Sequence, residues 1–348
     1  MSHPLDDASQ APVHAATTVA EAARAVLGTR LAIVRKRLGP VRAGDHPADD
    51  EVHGLRVATR RAGSALGVFG PALDAGDRRR ARRDLRRIRK AAAVARAADV
   101  HASMLARMLT SASGPRMAAI GYALGRLAME RDLGRMRLHD AARAVRVKKL
   151  HRRHERLVES VGGGRAETFG ELAQVAVADC FDRLELAVSG ELTARERLHE
   201  LRLAVKRFRY VLEVVEPCLE AAALDEAMTR ARSLQQRLGE LNDLFELEMR
   251  LERYAREVED SERGSELSAV VSGLRVVQGE LDQAMREKRE SFSAWWGGMG
   301  GPASLASLRV ALLTVAEPHR LNGAAPKVSE ERAAEPAREP THGEAGRT

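Results

Sequence analysis

Cysteine is nearly missing from this chain of 348 residues: only Cys180 and Cys218 occur, too few and too isolated for a disulfide framework or a zinc knuckle. A reducing, cytoplasmic setting is the simplest one for such a chain. Aromatic residues make up 3 %, so any core must be built from Leu, Val and Ala. The three tyrosines, Tyr122, Tyr210 and Tyr254, give poor provision for stacking the bases of a single-stranded nucleic acid. No uninterrupted apolar run approaches the ~20 residues of a spanning helix. The best candidate, near Val310, is cut by Arg309. The residues before Thr17 hold no apolar signal core. These absences predict a soluble protein with no membrane partner.

Chemistry-bearing signatures are equally scarce. There is no GxxxxGK[ST], GxSxG or HExxH. Glu246-Leu247-Glu248-Met249-Arg250 reads as helix-surface pairing rather than as a metal site. The expectation is a protein without catalytic residues, metal or cofactor.

What the chain has in quantity is Ala, Leu, Arg and Glu, with Gly and Pro gathered between long periodic stretches, and this predicts an all-α protein. Lys plus Arg number 57 against 49 Asp plus Glu, a net charge of +8 that favours polyanions without choosing one. Helices are predicted near 17–38, 49–69, 77–95, 99–110, 115–138 and 139–160. After Gly162-Gly163-Gly164 a second set is predicted near 167–188, 194–215, 220–239, 241–259, 265–293 and 303–316. Residues 1–16 and 322–348, poor in large apolar side chains, are expected to be disordered. Trp295-Trp296 are expected to anchor a helix end in the core.

One feature organises the rest. Val52-His53-Gly54-Leu55-Arg56-Val57-Ala58-Thr59-Arg60-Arg61 returns 146 residues later as Leu198-His199-Glu200-Leu201-Arg202-Leu203-Ala204-Val205-Lys206-Arg207. At about 3.6 residues per turn, His53, Arg56 and Arg60 fall on one helical stripe, and His199, Arg202 and Lys206 on its counterpart. Pro71 and Pro217 keep the same offset, each just past the end of its helix. Thr193-Ala194-Arg195-Glu196 has capping-box spacing and should open the second of these helices. The offset also pairs Arg96 with Asn242, Ala97 with Asp243 and Asp99 with Phe245. Asp99 and Asp243 are read as helix caps, the alternative being that they orient an anion-binding arginine.

Arg78 to Lys90 holds nine cations and one anion in thirteen residues, so its self-repulsion is uncompensated unless an anion or neighbouring carboxylates sit against it. Arg82, Arg86 and Arg89, with Arg83 and Lys90 adjoining, form the stripe expected to face His53 and Arg56. A third basic cluster runs from Arg146 through Lys148, Lys149 and His151 to Arg152, Arg153 and His154. It is read either as a solvated face or as a polyanion contact. His101, His139 and His151 are read as packed histidines. A long anion is the natural partner of the repeated stripes, with arginine forks donating paired hydrogen bonds to phosphate and histidine gaining charge beside it.

The doubled H-x-L-R-x-A-x-[RK]-R pattern, each copy followed by a proline exit, with Arg96-Ala97-Ala98-Asp99-Val100 and Leu238-Gly239-Glu240-Leu241-Asn242-Asp243 beyond, resembles the CHAD family, the conserved histidine α-helical domains. That resemblance covers about residues 20 to 300. It implies two similar antiparallel bundles of four-helix type related by a pseudo-twofold axis, 17–161 and 165–320 within one domain of 17–320. It also implies non-enzymatic binding of inorganic polyphosphate in a shared basic channel, and association with polyphosphate granules and their proteins. On this reading the channel takes His53, Arg56, Arg60 and Arg61 from the first motif. His199, Arg202, Lys206, Arg207 and Arg209 come from the second, reinforced by Arg82, Arg83, Arg86, Arg89 and Lys90 and by Lys148 and Arg152. Nucleic acid would bind only non-specifically, through its phosphates; a nucleic-acid-binding helical protein and a hydrolase accessory protein are the alternatives. Gly63 stands where the family often has another arginine, and the helix holding Arg230, Arg232 and Arg237 is much less basic than its counterpart. Unequal half-sites are therefore expected.

Overall fold

Thr18 and Thr168 each accept a hydrogen bond from the amide three residues ahead, Glu21 and Glu171, at 3.3 Å, and each glutamate reaches back to the threonine amide. Two capping boxes thus satisfy amides that the first helical turn leaves open. The two starts are joined by an antiparallel bridge, with Phe169 N donating to Thr17 O and Gly170 N to Ala15 O, both at 2.8 Å.

The computed structural model describes residues 12–44, 47–162, 166–261 and 267–314. From Thr18 the chain enters α1 (Val19–Ala22), continues through a π-helical turn (Ala23–Leu27) and runs on as α2 (Gly28–Ala43). It then forms α3 (Asp49–Val68), α4 (Ala75–Leu109), α5 (Gly114–Arg143) and α6 (Val147–Glu159). From Thr168 it forms α7 (Phe169–Val188), α8 (Arg195–Val215), α9 (Ala221–Glu259), α10 (Ser268–Gly298) and α11 (Gly301–Leu313). The class is all-α, with no strand among the described residues. Pro71 and Pro217 lie in the short 3-10 turns that follow α3 and α8, as a helix stop requires. Residues 1–11 and the expected tail at 322–348 lie outside the described residues.

The long helices pair as hairpins, α4 on α5 and α9 on α10, and α5 lies against α10. The two motif helices, α3 and α8, pack on each other. One core built mostly of Leu, Val and Ala runs from Val19 to Leu312. Its few rings meet at contact points, Phe69 stacking on Phe169 at 5.4 Å and Phe181 meeting Phe208 edge-on at 5.1 Å. Trp295 and Trp296 pack on this core beside Phe292 at the end of α10. Two glycines set helix spacing. A Cβ on Gly134 of α5 would stand 2.7 Å from the Ala95 nitrogen of α4, and one on Gly273 of α10 would stand 2.0 Å from the Pro115 carbonyl oxygen of α5.

Several expectations fail here. Residues 77–95 and 99–110 form one helix, α4, and residues 220–239 and 241–259 form one helix, α9. The apolar stripe continues through each junction, as buried Ala92, Ala95 and Ala98 in one and Leu238, Leu241 and Leu244 in the other, so the helical period never breaks. Asp99 and Asp243 are therefore mid-helix and cap nothing. Thr193 makes no cap either: α8 opens after Ala194 with no side-chain bond. The stretch near 139–160 is interrupted where Arg42 donates to the carbonyls of Ala142 (3.1 Å) and Val145, ending α5 and letting α6 start in a new direction.

Candidate anion-binding site

The cleft between α3 and α8 exists because α3 turns small residues toward it. Gly63, Ser64 and Gly67 line it, and a Cβ on either glycine would meet only open space. Its volume is about 660 Å³, with α4 closing one side and α7 the other. Into this space project Arg60 from α3, Arg82, Arg86 and Arg89 from α4, and Arg202, Lys206 and Arg207 from α8. Spacings of four and three residues put Arg82, Arg86 and Arg89 on one face of α4, and a spacing of four does the same for Arg202 and Lys206 on α8. Tyr210, nearly buried, forms part of the wall under the Arg209 guanidinium, which lies 4.3 Å from its ring centre.

Arg60 is the hub of this assembly. Its positive charge acts on Arg56 and Arg89 on one side and on Arg202 and Lys206 on the other. Burial and the neighbouring Arg60, Arg96 and Arg89 hold Arg56 down at about 10. Burial first, then Arg202 and Arg60, push Lys206 down to about 7, although Asp243 and Glu246 oppose this. Arg89 and Arg202 are also lowered, chiefly by burial. Arg56 Nη1 and Arg202 Nε are buried without a hydrogen-bond partner. Buried, unpaired and mutually repelling donors are costly to keep and are met best by an anion carrying several oxygens.

The two histidines flank the cleft and do not line it. His53 is exposed at the α3 end of the stripe. Its basicity is reduced by partial burial and then by Arg96, Arg56 and Arg60. Nδ1 of His199 lies 3.2 Å from Asn242 Oδ1, while Asn242 Nδ2 donates to Glu246 Oε1 at 2.7 Å. The glutamate contact fixes the amide orientation, so His199 Nδ1 donates and its Nε2 is left free. These residues, with Arg195 and Phe245, surround a separate hollow of about 80 Å³.

Apart from Arg207, the other expected channel residues are placed elsewhere, and Arg56 adjoins Arg60 without lining the cleft. Arg61 pairs with Glu213 at 2.8 Å, and Arg209 pairs with the same carboxylate while donating to Gln235 at 2.8 Å, so both serve the packing of α3, α8 and α9. Arg207 lines the cleft while held by Asp179 at 2.6 Å. Arg83 and Lys90 are exposed and absent from the cleft wall, one residue round the helix from Arg82 and Arg89. Lys148 and Arg152 are exposed on α6 and contribute nothing to the cleft. His154 in the same cluster is buried, with burial and Arg35 driving it down to about 3. His101 is buried and driven down to about 4, chiefly by burial, with its Nδ1 unpartnered. His139 Nδ1 lies 3.3 Å from the Val41 carbonyl, and His151, half-buried on α6, pairs with Glu155 at 3.0 Å, so His101 packs without the partner expected and His151 is only partly packed.

Sequence reasoning assigned no site role to Arg96, Asn242 and Glu246. The 146-residue register had matched Arg96 with Asn242, and the two act differently on their histidines: Asn242 is bonded to His199, whereas the charge of Arg96 lowers the basicity of His53. The signal was present, but the assumed helix junctions hid its meaning. Asp243 lies among Arg202 and Lys206 and offsets their charge, whereas Asp99 sits 4.0 Å from Arg135. The halves therefore differ: α4 brings three arginines to the cleft, while α9 brings carboxylates to the α8 cations. Arg230 of α9 is held by Glu226 at 2.5 Å, and Arg237 covers Trp295.

Fold and site together define an all-helical protein whose two motif helices enclose a cationic cleft. A family model of the CHAD domain matches residues 25–252, and the chain belongs to the CHAD family. The fold is shared with a crystal structure of the CHAD domain from the plant Ricinus communis. That likeness has 19 % identity, a TM-score of 0.60, and coverage of 81 % of this chain and 94 % of that one. It is shared also with PptA from Streptomyces chartreusis, at 17 % identity and a TM-score of 0.60, covering 81 % of this chain and 100 % of that one. No curated protein matches the chain in sequence. Among the described residues no helix is long and apolar enough to cross a membrane.

Proposed function

We propose that this protein binds inorganic polyphosphate in the cleft between α3 and α8 and does not turn it over. The observation that carries the reading is the group of cations around Arg60, drawn from three helices, in which Arg56 and Arg202 keep buried donors without partners. A linear phosphate chain supplies oxygens at regular intervals along such a stripe, and each charge-assisted hydrogen bond contributes about 1.5–3 kcal/mol. Membership of a family known for polyphosphate binding supports the same ligand. One carboxylate, Asp179, lines the cleft wall, and Arg207 and Arg183 already hold it, which favours binding over hydrolysis. Through this cleft the protein would attach to polyphosphate granules and leave its other faces to partners.

Calorimetric titration with long-chain polyphosphate and with duplex DNA at two salt concentrations tests the reading. Tight polyphosphate binding that survives the higher salt, with weak DNA binding and no orthophosphate released in Mg²⁺, is the expected result. Equal affinities that collapse together with salt would reduce the cleft to a generic cationic surface.

Binding should also take up protons. Lys206, pushed down to about 7 by burial and then by Arg202 and Arg60, rises when phosphate arrives. The complex then holds a proton that the free protein has partly lost, so affinity falls as pH is raised through about 7. His53, lowered chiefly by burial and by Arg96, extends the same trend to lower pH. Calorimetry in buffers of different ionisation enthalpy reads this uptake. Binding that is flat from about pH 6 to about pH 9 would remove both groups from the site.

A further inference from the structure

Given a cleft that holds polyphosphate, we infer that α4 and α6 form a second, outer binding site for the same chain, reached over the exposed face of α4. The site is a hollow of about 200 Å³ where α4 meets the α5–α6 turn. Arg87, Arg146, Lys149 and Arg153 line it, with Asp84 as the one carboxylate in its wall. Asp84 is already engaged by Arg153 at 2.9 Å. Arg87, Arg146 and Lys149 make no ion pair among the described residues, and Arg87, Arg146 and Lys149 are exposed. The hollow also receives the start of α6, a 13-residue helix whose N-cap, Arg146, offers no side-chain acceptor to the first amides. The amides of Lys149 and Leu150 are taken by the Arg146 carbonyl at 2.9 Å, so it is the side-chain cations of the wall that the hollow offers to a ligand.

The helical geometry of α4 connects the two sites. Arg82, Arg86 and Arg89 face the cleft. Arg83 and Lys90 follow Arg82 and Arg89 by one residue and so lie about 100° round the helix. Both are exposed. Arg87 lies further round in the same sense and opens the outer hollow. The exposed arc of α4 is therefore cationic from one site to the other, which accounts for its uncompensated charge better than the cleft alone. A short chain fills the cleft. A long chain leaving it crosses Arg83 and Lys90 and places further phosphates on Arg87 and Lys149, gaining affinity through a tethered second contact.

The full-length protein and its Arg87→Ala/Lys149→Ala variant, titrated with inorganic tripolyphosphate and with long-chain polyphosphate, test this. Both side chains are exposed, so far-UV circular dichroism should match that of the parent. The expected result is that the parent prefers the long chain. The variant should lose about tenfold for the long chain with a shallower salt dependence, while its tripolyphosphate affinity stays within about twofold. Unchanged long-chain affinity in the variant overturns the outer site and leaves the cleft reading standing, as does an equal loss for both ligands. If the parent binds neither ligand, it is the cleft reading that has failed.

Discussion

Arg56→Glu combined with Arg202→Glu abolishes polyphosphate binding in a protein that stays helical. The two arginines stand on the two motif helices, on either side of Arg60, and each keeps a buried nitrogen without a partner. Loss of two charge-assisted contacts removes about 3–6 kcal/mol, or roughly two to four orders of magnitude in affinity, before the new carboxylates repel the ligand. The fold should tolerate the exchange, because Arg56 is partly buried among cations that already hold it down at about 10. A glutamate there meets Arg60, Arg89 and Arg96 as partners. At Arg202 the neighbours include Asp243 and Glu246, so Arg202→Gln serves as the milder second variant. Calorimetry with long-chain polyphosphate and far-UV circular dichroism read the two effects separately. Parental affinity in the folded double variant would refute the site assignment.

Gly273→Ala should cost about 3 kcal/mol, near the upper end of what an added methylene does in a close-packed interior. Its Cβ would lie 2.0 Å from the Pro115 carbonyl oxygen and 2.6 Å from the carbonyl carbon, and these are backbone atoms of α5 that cannot rotate away. α10 and α5 must therefore separate, and this contact joins the two long hairpins. Gly279, six residues on in the same helix, is exposed with nothing within 4 Å of a new Cβ. Gly279→Ala should instead stabilise by about 0.5–1 kcal/mol through helix propensity alone. Opposite shifts of thermal midpoint in the two variants are expected. A neutral Gly273→Ala would mean that α5 and α10 are not in close contact.

Much of this was legible in the residues because helical periodicity is a local property. The all-α class, the proline exits after α3 and α8, and the stripes Arg56-Arg60 and Arg202-Lys206 need only a period of 3.6 and a repeat in register. The doubled motif alone pointed to the CHAD family. Errors arose where short polar residues were taken for helix ends. Asp99 and Asp243 look like caps in isolation, yet the apolar stripe beneath them is unbroken, and burial of that stripe outweighs the local preference of a polar side chain.

Which cations share a space was settled by packing. Arg61 belongs to the repeated motif as fully as Arg60 does, and Arg209 lies two residues beyond its second copy, but Glu213 takes both of them at the α3–α8 contact. Lys148 and Arg152 looked equivalent to the arginines of α4. The Arg42 contact that ends α5 turns their helix to a different face. Charge, helicity and the repeated motif follow from the order of residues, since each depends on neighbours within a few turns. Membership of the cleft depends on the relative placement of α3, α4, α7 and α8, which core packing sets between residues far apart in the chain.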